Sequence, residues 1–220
     1  MIEEFRIEAD DNAQPPMFAD NEIRVWINQG YKEAARRSHC LRDSSTTAIC
    51  SLTALAGTPE VAYSPLILNL VRVSVPAKQN KILRQIKAEL LDQSRPNWES
   101  ATGDAQCYVV GLNGRRLQLF PAPIVDTVLK MTVIRLPILD LENASDSPEE
   151  MFPEEYHQGL VQWALYKAFS KTDAEVNDTE KSNRALRAFE EEFGTREDAN
   201  ARLEQMSINQ QTYQFNSGAY

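Results

Sequence analysis

The central helix of the protein is predicted in the segment Pro153-Glu-Glu-Tyr-His-Gln-Gly-Leu-Val-Gln-Trp-Ala-Leu-Tyr-Lys-Ala-Phe-Ser-Lys171, because it carries the start, the body and the end of a helix. Proline at a first helical position loses only an N–H that has no partner there. Glu154 and Glu155 then place negative charge at the positive end of the helix dipole, and Lys167 and Lys171 lie at the opposite end. The segment is therefore predicted to be a complete central helix.

The body of this helix is apolar over most of its circumference. Only a narrow stripe through Gln158 and Gln162 is plainly polar. A helix this apolar is expected to be buried on more than one side, with one side in its own domain's core and the other against a second layer or a second subunit. The side chains that form and widen the apolar arc are Tyr156, Leu160, Val161, Trp163, Ala164, Leu165, Ala168 and Phe169.

Length and composition indicate a globular protein of one large or two small domains. The chain has 220 residues, and its 42% hydrophobic and 25% charged residues are ordinary for that class. No stretch approaches the roughly 18 uncharged apolar residues that a membrane-spanning helix needs, and the acidic start is unlike a signal peptide. We therefore expect a product made in the cytoplasm, without membrane contact, in which Cys40, Cys50 and Cys107 stay reduced.

The net charge argues against tight binding of nucleic acid. At a formal charge of −9 and a sequence pI near 4.9, the chain is not expected to bind nucleic-acid phosphates tightly in solution. The same charge does not exclude a protein past which DNA merely slides.

The first part of the chain is predicted to be an arm followed by a helix. The segment from Met1 to Pro16 is short and acidic and ends in two prolines, which indicates a flexible or extended arm. An amphipathic helix is predicted from Asp20, a favourable N-cap residue, to Arg37. Gly30 inside this helix costs about 1 kcal/mol relative to alanine, so we expect close packing of another helix there.

In the middle of the chain, the spacing of apolar residues changes from a helical to an extended pattern. A tight hairpin is predicted where Asn113-Gly114 joins two β-rich runs, and a third strand after it makes an antiparallel meander. A short helix is expected over Ile82–Gln93. The predicted strands are Thr46–Leu55, Glu60–Tyr63, Leu70–Val75, Cys107–Val110, Arg116–Phe120 and Thr127–Leu136, with one helical turn over Leu66–Leu70.

The last part returns to helices and ends in an uncharged tail. Asn143–Pro148 is an acidic linker, and Asp178–Phe193 has helical spacing that Gly194 stops. Thr195 is expected to open a last helix. Asn209–Tyr220 has no charge and no helical stripe, and we expect an extended segment that orders on a partner.

These elements predict an α+β fold in which N- and C-terminal helices form a helical bundle and a small antiparallel β-rich insertion fills the middle. The expected domains are an N-terminal arm over residues 1–19, the bundle over 20–39 and 150–206, the insertion over 40–149, and the extended C-terminal tail over 207–220.

Chemistry-bearing motifs are weak. His39, Cys40 and Cys50 are the one local metal-ligand candidate, and they lack the four tightly spaced ligands of a tetrahedral site. His157 has no second histidine or nucleophile placed beside it. The residues therefore predict no catalytic, cofactor or metal site, and a non-enzymatic interaction protein.

Several phrases of the sequence resemble the head-to-tail adaptor (connector) proteins of tailed bacteriophages. They are Asn28-Gln-Gly-Tyr-Lys-Glu-Ala-Ala-Arg-Arg-Ser, Tyr108-Val-Val-Gly-Leu-Asn-Gly-Arg-Arg-Leu-Gln-Leu-Phe-Pro-Ala-Pro, and Leu136-Pro137 followed by Pro153-Glu-Glu-Tyr-His-Gln-Gly-Leu-Val-Gln-Trp-Ala-Leu. The resemblance runs from about Asp20 to Leu203.

This resemblance implies a homo-oligomer, a dodecameric ring in the virion neck beneath the phage portal protein. The ring would extend the DNA channel, let DNA pass through its lumen without specific binding, and dock tail or nozzle proteins. Aromatic residues on the central helix and in the tail are the candidate oligomer or portal interface, because such residues anchor interfaces. They are Tyr156, Trp163, Tyr166, Tyr213, Phe215 and Tyr220.

Two alternatives to the adaptor remain open from the sequence. One is a tail-completion or tail-fibre-docking structural protein of the virion, whose β-rich part would be the main interface. The other is an enzyme that uses His157 with an acid such as Glu154 or Asp173.

Overall fold

The computed structural model describes residues 1–143, 146–171 and 178–196. Over these residues the protein is a mixed α/β fold with six α-helices and eight strands. The helices are α1 (Ile2–Ala9), α2 (Asp20–Ser38), α3 (Thr47–Cys50), α4 (Ala88–Ser94), α5 (His157–Phe169) and α6 (Thr179–Phe193). The strands are β1 (Arg42–Asp43), β2 (Ser51–Ala54), β3 (Glu60–Ala62), β4 (Ile67–Val75), β5 (Lys81–Gln85), β6 (Cys107–Val110), β7 (Arg116–Phe120) and β8 (Thr127–Arg135).

The described chain divides into two compact units. The helical unit comprises Met1–Arg42 and Ile134–Arg196, and the described part of the sheet unit is Asp43–Val133. Each unit has its own hydrophobic core. The domain boundaries expected from the sequence stay predictions.

The described strands form one curled sheet of mixed direction. Its order is β1-β8-β4-β5-β6-β7-β3, and β2 also pairs with β8. The β6–β7 hairpin is antiparallel, as its Asn-Gly turn predicts, but β5 and β6 run parallel. The predicted three-stranded meander is wrong, because β8 pairs with β4 and β2 instead of β7.

The prediction of a helical bundle with a small antiparallel β-rich insertion is wrong, because the eight-stranded sheet is a major part of the fold. Two short apolar runs caused the error. The short helix predicted over Ile82–Gln93 begins only at Ala88, and its first residues belong to β5. The helical turn predicted over Leu66–Leu70 belongs mostly to the nine-residue strand β4. In runs this short, periodicity does not separate a buried strand from a helix.

The main core of the sheet unit lies on one face of β4, β5 and β8. Val73 pairs with Leu83, and both are buried, as are Leu129, Met131 and Val133 on β8. A smaller apolar cluster forms around Trp98 at the end of α4, where its ring meets Phe120 edge-on at 5.8 Å.

The expectation of an extended N-terminal arm is wrong for Ile2–Ala9, which form α1. Phe5 of this helix is fully buried, and the side chain of Asp11 accepts hydrogen bonds from the Met17 and Phe18 N–H groups. Helix α1 has no side-chain cap at its start, and a helix of two turns is marginal without tertiary packing. The helix therefore depends on tertiary packing of Phe5 that local sequence patterns do not indicate.

The predictions of α2, of the central helix α5 and of α6 are confirmed. Helix α2 spans Asp20–Ser38, and α6 begins after Asp178, whose carboxylate accepts the Lys181 N–H at 3.0 Å. Gly194 ends α6 with a φ of 81°, a conformation that favours glycine. A 3₁₀ turn over Glu154–Tyr156 leads into α5. The predicted helix from Thr195 and the tail lie almost wholly outside the described residues.

Candidate interaction surfaces

Helix α5 is covered on several sides by its own unit. It packs against α1, α2 and α6, and Leu160, Val161 and Ala164 are fully buried. The polar stripe is also engaged, since Gln158 and Gln162 both donate hydrogen bonds to the Glu8 carboxylate of α1. The second layer that the apolar arc predicts is therefore supplied within the helical unit.

Trp163 joins α5 to α2 and α6. A Cβ atom added to Gly30 would lie 2.9 Å from the Trp163 Cβ, so the expected close packing at Gly30 is confirmed. The indole ring lies 4.8 Å from the Phe189 ring and 5.7 Å from the Arg37 guanidinium carbon. Trp163 is partly buried, and these contacts anchor it inside its own unit.

Tyr156 and Tyr166 are also partly buried. The Tyr156 ring meets Phe152 at 5.8 Å and Phe193 at 5.3 Å, which ties the start of α5 to the end of α6. The Tyr166 ring lies 5.4 Å from Trp163. The other three candidates, Tyr213, Phe215 and Tyr220, lie outside the described residues, and the interface role of all six stays a prediction.

A buried ion-pair network that the sequence analysis missed fixes the end of α6 to α2. Arg37 is almost fully buried, and its Nε donates to Glu33 Oε1 at 3.0 Å. Its Nη1 donates to the Gly194 carbonyl at 2.9 Å and lies 3.5 Å from the Glu190 carboxylate. Glu33 and Arg37, four residues apart on one helix, were the available signal.

A second missed cluster involves the phrase that begins at Asn28, one of those that carry the adaptor resemblance. Asn28 donates to the Leu141 carbonyl at 3.0 Å and accepts the Leu141 N–H at 2.7 Å. Tyr31 accepts the Glu149 N–H at 3.0 Å, and Glu149 also holds the buried Arg135 through two hydrogen bonds of 2.6 and 3.2 Å. These contacts hold the chain between β8 and α5 against α2.

The sheet unit exposes apolar side chains where two turns meet. The Gly57 N–H donates to the Pro123 carbonyl at 2.7 Å, which brings the β2–β3 and β7–β8 turns together. Leu55, Ile124 and Val125 of these turns are 58%, 66% and 63% exposed. We call these three residues the apolar loop patch.

Ionisable groups in the two cores are held neutral. Burial raises the pKa of the Cys107 thiol to about 11 and the pKa of the Tyr108 hydroxyl to about 12. Burial also raises the pKa of Tyr31 to about 12, although the Glu149 N–H opposes the shift. These groups act as packed core residues at neutral pH.

The candidates for chemistry are not brought into a catalytic arrangement in the described chain. His157 stacks on Phe152 at 5.9 Å and lines a cavity of about 260 Å³ with Arg24 and Asp146. Glu154 is exposed, and Asp173 lies outside the described residues. Within residues 1–143, 146–171 and 178–196, no group of three or more metal-ligating side chains comes together. No helix in these ranges is long and apolar enough to cross a bilayer.

A comparison with known protein families identifies the family to which the chain belongs. The family model for the SU10 adaptor protein matches residues 1–213. The chain belongs to the SU10 adaptor protein family. The bacteriophage adaptor resemblance is thereby confirmed at the level of the family. No curated protein matches the chain.

Membership of this family makes the chain a structural protein of a bacteriophage virion, of a kind that interacts with portal and tail proteins. The family is not one of known enzymes. The match covers both units, so the helical and sheet units together are the adaptor.

Proposed function

We propose that this member of the SU10 adaptor protein family forms a dodecameric ring beneath the portal of a tailed phage, extends the DNA channel and docks the tail. The family match over residues 1–213 carries the proposal. The ring sits in the virion neck, and the chain is made in the host cytoplasm before assembly.

The charge of the chain supports a conduit for DNA. A net charge of −9 repels the phosphate backbone and lets the duplex slide without specific binding. The free protein is therefore expected to bind duplex DNA only weakly at physiological salt. Tight, salt-sensitive binding in a gel shift would argue for a nucleic-acid reader instead.

The aromatic residues named from the sequence have different parts in this proposal. Tyr156, Trp163 and Tyr166 are partly buried and are available to a neighbouring subunit only through their remaining exposed edges. Tyr213, Phe215 and Tyr220 are proposed to anchor the tail segment on the portal or on a neighbouring adaptor, as an added strand.

The apolar loop patch supports the docking half of the proposal. Its three side chains are more than half exposed at the meeting point of two turns, and exposed apolar patches mark protein interaction sites. The same observation favours the second candidate, a tail-completion or tail-fibre-docking protein that contacts the tail through its sheet unit.

Native mass spectrometry of the purified chain, alone and with its cognate portal protein, separates these functions. A complex with twelve adaptors on the portal is the expected result. Binding to tail components without any portal complex would support the tail-docking function, and a persistent monomer that binds neither would contradict both.

A further inference from the structure

One face of the sheet unit combines exposed cations with exposed apolar side chains. Ser74 on β4 pairs with Ile82 on β5, and the next pair, Val73 with Leu83, points into the core. Successive side chains of a strand alternate between faces, so Arg72 and Arg84 share the outer face with Ile82. Both arginines are exposed, and Ile82 is 55% exposed.

Strand β8 extends this face. Leu129 and Met131 are in the core, so Val128 and Lys130 point outward, where both are exposed. The Ser74 hydroxyl donates to the Lys130 carbonyl at 3.3 Å, which sets β4 beside β8. We call the set Arg72, Ile82, Arg84, Val128 and Lys130 the basic sheet face.

Residues 43–133 of the sheet unit carry a small net positive charge, and the helical unit carries a large negative one. Strands β2, β4, β5 and β8 contain no aspartate or glutamate, and residues 43–133 hold nine Lys and Arg against seven Asp and Glu. The helical unit holds thirteen Lys and Arg against 22 Asp and Glu. Such charge asymmetry within a chain indicates an electrostatic partner.

The helical unit carries a surface of the opposite kind. Residues 136–166 contain seven Asp and Glu and no Lys or Arg. Glu150, Glu154 and Glu155 are exposed and form no ion pair within the described residues. Exposed apolar residues accompany them, with Met151 36% and Leu139 73% exposed. We call Leu139, Glu150, Met151, Glu154 and Glu155 the acidic strip.

The acidic strip is anchored to the unit beneath it. The Ile138 N–H donates to Glu149 Oε1 at 2.7 Å, which brings Leu139 beside the chain at Glu150. Glu149 is held in turn by Arg135, and Phe152 is buried against Tyr31 at 4.9 Å. A surface fixed in this way loses little conformational entropy when a partner binds.

We propose that the basic sheet face of one adaptor binds the acidic strip of a second copy. This inference rests on the proposed ring. The two surfaces differ, so the contact is heterologous and repeats from copy to copy until a ring closes. The cations and carboxylates set the register and steer the encounter, while Ile82 and Val128 meet Leu139 and Met151 as the apolar centre.

Charge reversal of each surface tests the contact in the full chain. We expect R72E/K130E and E150K/E154K each to lose assembly at a concentration where the wild type assembles, a weakening of about tenfold or more. Mixing the two variants should restore assembly, because each intact or reversed surface of one variant meets a surface of opposite charge on the other. The quadruple variant, with both surfaces reversed, should assemble again.

The matched control is K78E/R116E, which makes the same charge change in the sheet unit by breaking two exposed ion pairs. It should assemble like the wild type, and circular dichroism should show all variants folded. If R72E/K130E assembles normally, the inference is wrong and the ring proposal stands. If that variant assembles normally and loses DNA binding, the face serves nucleic acid instead. A wild type that never oligomerises, alone or on the portal, overturns the ring and this contact together.

Discussion

Gly30 of α2 lies so close to Trp163 of α5 that the two helices meet without an intervening side chain. The nearest Trp163 atoms would be 2.9, 3.0 and 3.1 Å from a Cβ atom at position 30. Distances under about 3 Å force a shift of one helix, and the Trp163 ring is already fixed by Phe189. The helical unit therefore depends on glycine at this position.

The Gly30→Ala variant tests this relationship. Alanine is the better helix former by about 1 kcal/mol, but overpacking against Trp163 is expected to lower the free energy of unfolding by about 1–3 kcal/mol. Thermal and urea denaturation measure the change. The control is Gln29→Ala, an exposed position of the same helix, which should shift stability by less than about 0.5 kcal/mol. Equal stability of the two variants would show that α2 and α5 have room to separate.

Replacing Arg37 should lower the free energy of unfolding, because its hydrogen-bond partners would lose their donor. Arg37→Ala leaves Glu33 without one of its cations and leaves the Gly194 carbonyl without its donor. We expect a loss of about 2–4 kcal/mol in the free energy of unfolding. Lys32→Ala breaks only an exposed pair with Asp140 and should cost less than about 1 kcal/mol. Similar losses for both variants would contradict the role given to the buried network.

The neutral buried groups predict a loss of stability at high pH. Cys107 and Tyr108 have folded pKa values of about 11 and 12, above the values of the unfolded chain. The unfolded state therefore loses these protons first, so the stabilisation is complete below about pH 9 and disappears as pH rises through 11 to 12. Denaturation between pH 8 and 11 should show the decline. In Cys107→Ala, part of the decline should be absent, and an unchanged pH dependence would contradict the assignment.

Deleting residues 209–220 tests the proposed docking of the tail. The segment has no charged side chain and carries Tyr213, Phe215 and Tyr220. We expect thermal unfolding of the truncated chain to change little, while its attachment to DNA-filled heads weakens. A triple change of the three aromatics to serine is the matched variant and should weaken attachment in the same way. A large loss of stability with normal attachment would place the segment in the protein's own core.

The long elements could be predicted from the sequence, and the reason lies in their local signals. Helix α2 has a long amphipathic pattern, α6 has Asp178 and Gly194 as caps, and the β6–β7 hairpin has its Asn-Gly turn. The sheet order could not be predicted, because β5 joins β4 on one side and β6 in parallel on the other. Such pairing depends on contacts between distant residues, which periodicity does not encode.

The interaction surfaces, like the fold, could be predicted from the sequence only in part. The importance of α5 could be predicted from its apolar arc, but the sequence alone did not distinguish a second layer from a second subunit. In the structure, α1 is part of that layer, whereas the sequence predicts an extended arm there. The basic sheet face was hidden because Arg72, Arg84 and Lys130 lie far apart in the chain and meet only through strand pairing.

A symmetric cryo-electron-microscopy reconstruction of the virion neck would show directly whether the chain forms the proposed ring. We expect twelve copies of the chain in a ring between the portal and the tail, with the DNA channel passing through its centre. A neck in which the chain is missing from the portal-facing ring, or is present only on the tail or its fibres, would contradict the proposal.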